Sequence, residues 1–407
     1  MQSTGHKHDG AGGGAAPPAA ETEAVANWLA DKQPAIEDAI EPLVNVNSFT
    51  DNPEGGRKVG AMLRDLFTIP GVEASVRESE RYADHLIFRT HPKAPNKNAI
   101  ALVGHLDTVF PPGTFEGYRR DGTRARGPGV LDMKGGLVLV AFALKAIAAT
   151  CGLDALPPLR IVIVADEEVG SPEGQGVISA AIAGSSACLV FEAGRKEDLI
   201  ITRRKGTGGM TALAHGKAAH AGANHQDGAN ALWAMARFVD RVQSLTDYAR
   251  GVTLNVGKVT GGQGKNTVPD AAEAQIDLRF CSKADGDQLV LEVSRAASLA
   301  AESVAGTRIE LQGGVARQPL EKTDASAALM AEYAACARAS GLGGGEAPLI
   351  GGGSDASTSS SLGIPSIDGL GPRGSGFHTK DELIEIATLV PKAQALARFL
   401  VGRAEKI

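Results

Sequence analysis

The sequence predicts an α/β fold: a doubly wound, mostly parallel sheet forms a catalytic domain, and a ferredoxin-like α+β domain is inserted into it. Three apolar runs each end on metal-binding residue types. Ala99–Gly104 runs into His105-Leu-Asp107, Arg160–Ala165 into Asp166-Glu-Glu168, and Cys188–Phe191 into Glu192. Such short runs of Val, Ile and Leu read as strands buried on both faces of a parallel sheet. Further along, the order of elements becomes βαββαβ, the split-βαβ pattern. Helix and strand signals then resume from about Ala325, so the small domain interrupts the larger one. The expected division is 1–20 as a disordered tail, 21–203 and 315–407 as the catalytic domain, and 204–314 as an inserted lid or dimerisation domain.

From Thr22 an amphipathic pattern (Val25, Trp28, Leu29, Ile36, Ile40, Leu43) indicates one helix, or two broken at Pro34. A helix around Gly56–Leu66 and strand-like segments at Val72–Arg77 and His85–Arg89 follow. Gly135–Ala148 is an almost wholly apolar helix, of the kind that sits inside a layered fold. Through Ile201 the alternation is that of a doubly wound layer. In the insert, Gly209–His215, Val252–Thr260, Ala271–Phe280 and Thr307–Gly313 read as strands. Asp227–Ser244 and Asp285–Ala300 read as its helices.

The 407 residues carry 47 acids and 41 bases, a net charge of −6, with no basic excess to suggest a nucleic-acid surface. No apolar stretch approaches the roughly 20 residues of a membrane span. Cys151, Cys188, Cys281 and Cys336 lie far apart, without CxxC spacing, and read as small buried residues of a reducing compartment. The first 20 residues lack the apolar core of a signal peptide, which points to a cytoplasmic protein, though a trimmed secretory form would look the same. His6 and His8 belong to this Gly/Ala/Pro tail. The run Arg203-Arg204-Lys205 at the domain junction reads as a solvated hinge.

In open α/β sheets the ligand crevice lies outside the carboxyl ends of the strands. That edge would collect His105, Glu168 and Glu192, with Asp132 at a helix start and His378 from a late loop. Mixed imidazole and carboxylate ligands suit zinc, with cobalt and manganese as alternatives, and the lack of Cys ligands points away from a structural site. Five ligands are too many for one catalytic ion and suit two ions that share a bridging carboxylate and a bridging water. Asp107, two residues beyond His105, can hold the imidazole's other N–H. Of the adjacent Glu167 and Glu168, one can ligate while the other takes a proton.

His105-Leu-Asp-Thr-Val109, Gly127-Pro-Gly-Val-Leu-Asp132-Met-Lys-Gly-Gly136, Asp166-Glu-Glu168 with Gly170-Ser171, Glu192, Gly352-Gly-Ser-Asp355 and Phe377-His378 resemble the di-zinc metallopeptidase family. That family includes bacterial glutamate carboxypeptidase, aminoacylases, peptidases T and V, and succinyl-diaminopimelate desuccinylase. The resemblance covers nearly the whole chain after the tail, and the glutamate carboxypeptidase branch is nearest. It implies one zinc on His105, Asp132 and Glu192 and another on Asp132, Glu168 and His378, with a cis peptide between Asp132 and Met133. It implies Glu167 as general base and acid, Asp107 behind His105, a homodimer, and His220 as an oxyanion donor that in the family often reaches in from the partner subunit, in cis or across the dimer here. Asn266 and Arg279 would hold the substrate's free α-carboxylate, for which a planar guanidinium is suited. The glycines around Gly353 allow the backbone to approach the substrate closely.

The implied activity releases a C-terminal amino acid from small peptidyl or N-acyl conjugates, and aminoacylase or dipeptidase action is the alternative within the family. The family commonly has Pro near the position of His225, and with His225 and Gln226 there the resemblance does not carry a strict glutamate preference. A catalytically silent scaffold would lack a ligand or the base, and each is present.

Overall fold

The computed structural model describes residues 19–404. The expected tail, with His6 and His8, lies outside them apart from Ala19 and Ala20, which open the first helix. In chain order come α1 (Ala19–Leu29), α2 (Gln33–Asn45), α3 (Pro53–Leu66), β1 (Glu73–Arg77), β2 (His85–Arg89), β3 (Ile100–His105), β4 (Arg119–Asp121) and β5 (Arg124–Arg126). They are followed by α4 (Gly135–Thr150), β6 (Leu159–Val164), α5 (Gly174–Ile182) and β7 (Ala187–Val190). The insert supplies β8 (Gly206–His215), β9 (Ala219–His220), α6 (Ala231–Gln243), β10 (Thr253–Gly261), β11 (Thr267–Val268), β12 (Ala271–Phe280), α7 (Lys283–Glu302) and β13 (Arg308–Arg317). The chain closes with α8 (Asp324–Ala339), α9 (Ala356–Ser361), β14 (Ser366–Ile367), β15 (Gly374–Ser375), β16 (Leu383–Glu385) and α10 (Leu389–Ala404).

The helical pattern at the start is two helices, with Pro34 in the first turn of α2, where a missing N–H costs little. The large sheet has the order β1-β2-β6-β3-β7-β14. Its four inner and far-edge strands, β6, β3, β7 and β14, are parallel, and β2 and β1 add an antiparallel edge. Every residue of β3, β6 and β7 is buried, as the continuous apolar runs require. α4 is buried around most of its circumference, which accounts for its lack of a polar stripe. It approaches the end of β7 through Gly136, where a Cβ would stand 2.1 Å from the Phe191 carbonyl oxygen.

The insert folds as a four-stranded antiparallel sheet of order β10-β12-β8-β13, the ferredoxin-like arrangement. Its helices α6 and α7 cover one face, burying Met210, Phe238, Leu278, Phe280 and Val293. The other face carries a register row across the sheet, Arg279 opposite Thr207 and Thr207 opposite Arg317. Arg317 ends the sheet and crosses to the catalytic domain. Its NH1 lies 3.0 Å from Glu167 Oε1 and 3.0 Å from Asp355 Oδ1.

The charged run at the junction is not a solvated hinge. Arg204 is buried, its Nε 2.7 Å from Asp368 Oδ2, Lys205 is half-buried and only Arg203 of the three is exposed. Arg204 also exchanges backbone hydrogen bonds with Leu320, so the two passages of the chain between domains are paired. The cysteines are free; Cys188 is buried and the other three are half-buried. No helix among the described residues is long and apolar enough to cross a membrane.

Three stability outcomes follow from this packing. Gly136→Ala should lower stability by about 1–3 kcal/mol, because the clash falls on backbone that cannot rotate away. Arg317→Met should cost about 3–5 kcal/mol by stranding two buried carboxylates. Arg279→Met, which breaks a part-exposed pair with Asp277, should cost about 0–1 kcal/mol. Urea denaturation of the three variants would measure each value, and equal losses at Arg317 and Arg279 would contradict the interdomain tie.

Candidate metal centre

The ligand-bearing residues sit at one rim because β6, β3 and β7 are adjacent and parallel. His105 ends β3, Glu168 follows β6 in the turn Glu167–Val169, and Glu192 follows β7. Asp132 comes from the irregular turn Val130–Lys134 before α4, with φ −120° and ψ 90°, and its peptide bond to Met133 is cis. His378 arrives from the loop between β15 and β16 in a left-handed conformation, φ 62°.

The two triads share one carboxylate. His105 Nε2 lies 3.3 Å from Asp132 Oδ1 and 3.6 Å from Glu192 Oε1. His378 Nε2 lies 3.3 Å from Asp132 Oδ2 and 3.1 Å from Glu168 Oε2. Within each triad the ligand atoms fall within 4.8 Å of one another. Bonds of about 2.0–2.2 Å in a tetrahedral zinc site put ligand atoms about 3.3–3.6 Å apart. The spacings therefore fit two cations, one on each side of Asp132.

The electrostatics agree. Burial pushes the Glu168 carboxyl up to about 8, and it also raises Glu192, which the Asp132 charge raises further. Burial opposes the Asp132 anion as well, but hydrogen bonds from His105 and His378 outweigh it and hold this carboxyl well below the usual range. Hydrogen bonds to Asp132 and Glu168 lift His378 to about 10. Burial thus disfavours the charged carboxylates of Glu168 and Glu192, and positive charge placed among them would oppose that cost.

Asp107 supports the rim differently from the expectation. His105 Nδ1 hydrogen-bonds to the Asp107 backbone carbonyl at 3.0 Å, with the carboxylate farther off at 3.4 Å. The Asp107 carboxylate accepts instead from the N–H groups of Glu167 and Glu168 and from the Thr50 hydroxyl. It fixes the turn that carries both glutamates. Glu167 is held by Arg317; burial raises its carboxyl and the guanidinium opposes that rise.

His220, Asn266 and Arg279 lie on the inserted domain, without a hydrogen bond or ion pair to the centre. His220 and Asn266 adjoin each other on the β9–β11 ribbon, where Ala221 N–H donates to the Asn266 carbonyl at 2.9 Å. His220 is exposed, and its Nδ1 accepts from Gly222 and Ala223 N–H. Arg279 forms a two-bond pair with Asp277. Gly353 packs against Arg317, where a Cβ would stand 2.8 Å from its Cδ, and its carbonyl accepts from Arg204.

Sequence reasoning missed three supports. Arg317 had no motif around it. Asp355 and Ser171 were visible in the Gly-Gly-Ser-Asp and Gly-Ser stretches, but their hydrogen bond to each other and the pairing of Asp355 with Arg317 were not. Glu382 is fully buried and accepts from the N–H groups of Gly129, Leu131 and Asp132, clasping the turn that presents the shared carboxylate.

Comparison with known proteins places this geometry. The profile of "Peptidase family M20/M25/M40" matches residues 101–401. Carboxypeptidase G2 of Pseudomonas sp. (strain RS-16) is 27% identical over 382 residues, covering 91% of this chain and 90% of its own. The crystal structure of aminopeptidase PepT from Bacillus cereus ATCC 10987 superposes with a TM-score of 0.75 at 21% identity, covering 91% of this chain and 99% of that one. The Bacillus subtilis YXEP protein, titled a dinuclear metal-binding peptidase from the M20 family, superposes with a TM-score of 0.65 at 15% identity, covering 92% and 99%. Since the matched span takes in both ligand triads and the whole inserted sheet, the chain belongs to peptidase family M20/M25/M40 and is a hydrolase of amide bonds.

Proposed function

We propose that the chain is a two-zinc exopeptidase or amidohydrolase that releases a C-terminal amino acid, glutamate-like or other, from peptidyl or N-acyl conjugates. The observation that carries this reading is the pair of triads meeting at Asp132, with Glu167 on the same turn as a ligand. The dinuclear description of the B. subtilis neighbour and the name of the Pseudomonas relative point the same way.

One cation would rest on His105, Asp132 and Glu192, the other on Asp132, Glu168 and His378. When bound, such ions make water nucleophilic near neutral pH and polarise an amide carbonyl. The protein's own part is proton traffic and orientation. Glu167, nearly buried and anchored by Arg317, accepts the proton of the attacking water and returns it to the leaving amine. Asp107 keeps Glu167 and Glu168 in register through their N–H groups. In this reading His220 donates to the developing oxyanion, and Asn266 and Arg279 take the α-carboxylate. Arg279 would exchange Asp277 for the substrate, in a bidentate contact of the same form.

These three residues reach the centre by movement of the insert or from a second copy of the chain. The insert, proposed as residues 204–314, is also the proposed dimerisation unit. β10 is an open sheet edge, and Trp233 and Leu291 on its helices are 52% and 65% exposed.

Chelation should abolish hydrolysis of N-acyl amino acids, and about two equivalents of zinc per chain should restore it; full activity in a metal-free sample would end the two-metal reading. Glu167→Gln should keep its metal content while kcat falls about 10²–10⁴-fold. Metal analysis beside steady-state kinetics checks this, and a fully active variant would remove Glu167 from the proton path. Sedimentation at micromolar concentration should give a dimer, and a lone protomer would count against the insert as its interface.

A further inference from the structure

Three arginines approach the acidic rim, and two of them are already paired. Arg317 is bound by Glu167 and Asp355, and Arg204 by Asp368 and the carbonyls of Gly352 and Gly353. The side chain of Arg195 has no carboxylate, carbonyl or hydroxyl partner among the described residues, and its Nε is buried without a hydrogen bond. Its guanidinium instead stacks over Phe377, 5.2 Å from the ring centroid, and Phe377 meets the His378 ring at 5.5 Å. Burial and the neighbouring charge of Arg204 disfavour its cation, against the charges of Asp368, Glu192 and Asp132.

The segment cannot swing away. Gly194 N–H donates to the Pro372 carbonyl at 2.9 Å, and a Cβ there would stand 2.4 Å from the Gly371 oxygen. Asp198 N–H closes the turn on the Arg195 carbonyl at 3.1 Å. A half-buried guanidinium without a partner forgoes hydration, so its position needs another cause. Screening of the rim acids is a weak one: two divalent cations would more than neutralise Asp132, Glu168 and Glu192. Stacking engages the face of the guanidinium and leaves its in-plane N–H fork free, the geometry that binds carboxylate bidentately.

We propose that Arg195 is a specificity-determining residue that binds a second substrate carboxylate, beyond the α-carboxylate, on the Glu192–His378 side of the centre. The proposal rests on the amidohydrolase reading above, in which the α-carboxylate goes to the inserted domain. The second carboxylate comes either from the side chain of the released residue or from the far end of the acyl group.

The test uses two substrate pairs that differ only in carboxylate against amide. N-acetyl-glutamate and N-acetyl-glutamine probe the released residue; N-succinyl-alanine and N-succinamoyl-alanine probe the acyl group. Wild type should favour the acid in one pair, and Arg195→Gln should reduce that kcat/KM ratio about tenfold to a hundredfold. Arg195→Lys should recover only part of the ratio. The pair that responds identifies the source of the carboxylate. An unchanged ratio in both pairs, or loss of metal at an unchanged ratio, overturns the proposal. Calorimetry of the same four compounds on zinc-loaded protein separates the two readings. Arg195-dependent preference for the acid without turnover would sink the hydrolase and keep the subsite, and equal binding of acid and amide would sink the subsite.

Discussion

A single carboxylate faces both halves of the centre: Asp132 turns Oδ1 toward His105 and Oδ2 toward His378. Such a constellation works only when held within about 0.5 Å, so the supports of the Asp132 turn matter as much as the ligands. Glu382 supplies one support by collecting three backbone N–H groups of that turn. It does so as a buried acid whose carboxyl is pushed up to about 7 by burial, against those same N–H groups. Gly136 supplies another by letting α4 close on the Phe191 carbonyl beside Glu192. The turn is therefore clamped from the late loop on one side and from the neighbouring strand on the other.

The same crowding explains why the centre needs cations. Buried Asp132, Glu168 and Glu192 face only two imidazoles, and the one guanidinium at the base, Arg317, is already shared by Glu167 and Asp355. Unpaired buried acids are costly, and ligands that must lose protons couple metal binding to folding. Bound cations would offset the burial that raises Glu168 and would replace the hydrogen bonds that raise His378.

Much of this was legible in the chain, for a physical reason. Strands buried on both faces must be apolar throughout, so β3, β6 and β7 stand out as runs, and a crevice residue ends β3 or follows within a few residues of β6 and β7. The insert was legible through its alternation, and the observed β12, Ala271–Phe280, coincides with its sequence reading. Contacts between distant segments left no such trace. Arg317 looks like any arginine at a strand end, and Glu382 sits in an irregular loop. The polar run Arg203–Lys205 misled because solvation is the usual fate of adjacent charges; Asp368, far along the chain, buries Arg204 instead. Asp107 misled in detail, since the strand ends at His105 and the alternation that aimed its carboxylate at the imidazole ends with it.

The two domains divide the chemistry unequally, and their connection limits how they can cooperate. The base and four of the ligands are largely shielded side chains at the rim of the large sheet and His378 comes from an exposed loop, whereas His220 and Asn266 share a short exposed ribbon and Arg279 is half-buried in the register row. That row ends at Arg317, which is locked into the base. The backbone bonds between Arg204 and Leu320 pair the two crossings close to the same point. Any reorientation of the insert must turn about this paired crossing, because sliding would break a buried ion pair as well as the backbone pairing. A turn fixed at Arg317 leaves the base in place while it sweeps the far end of the sheet and the His220 ribbon through the widest arc. Such a turn would carry the His220 ribbon farthest, whereas Arg279, in the row that ends at Arg317, stays near the pivot with the base.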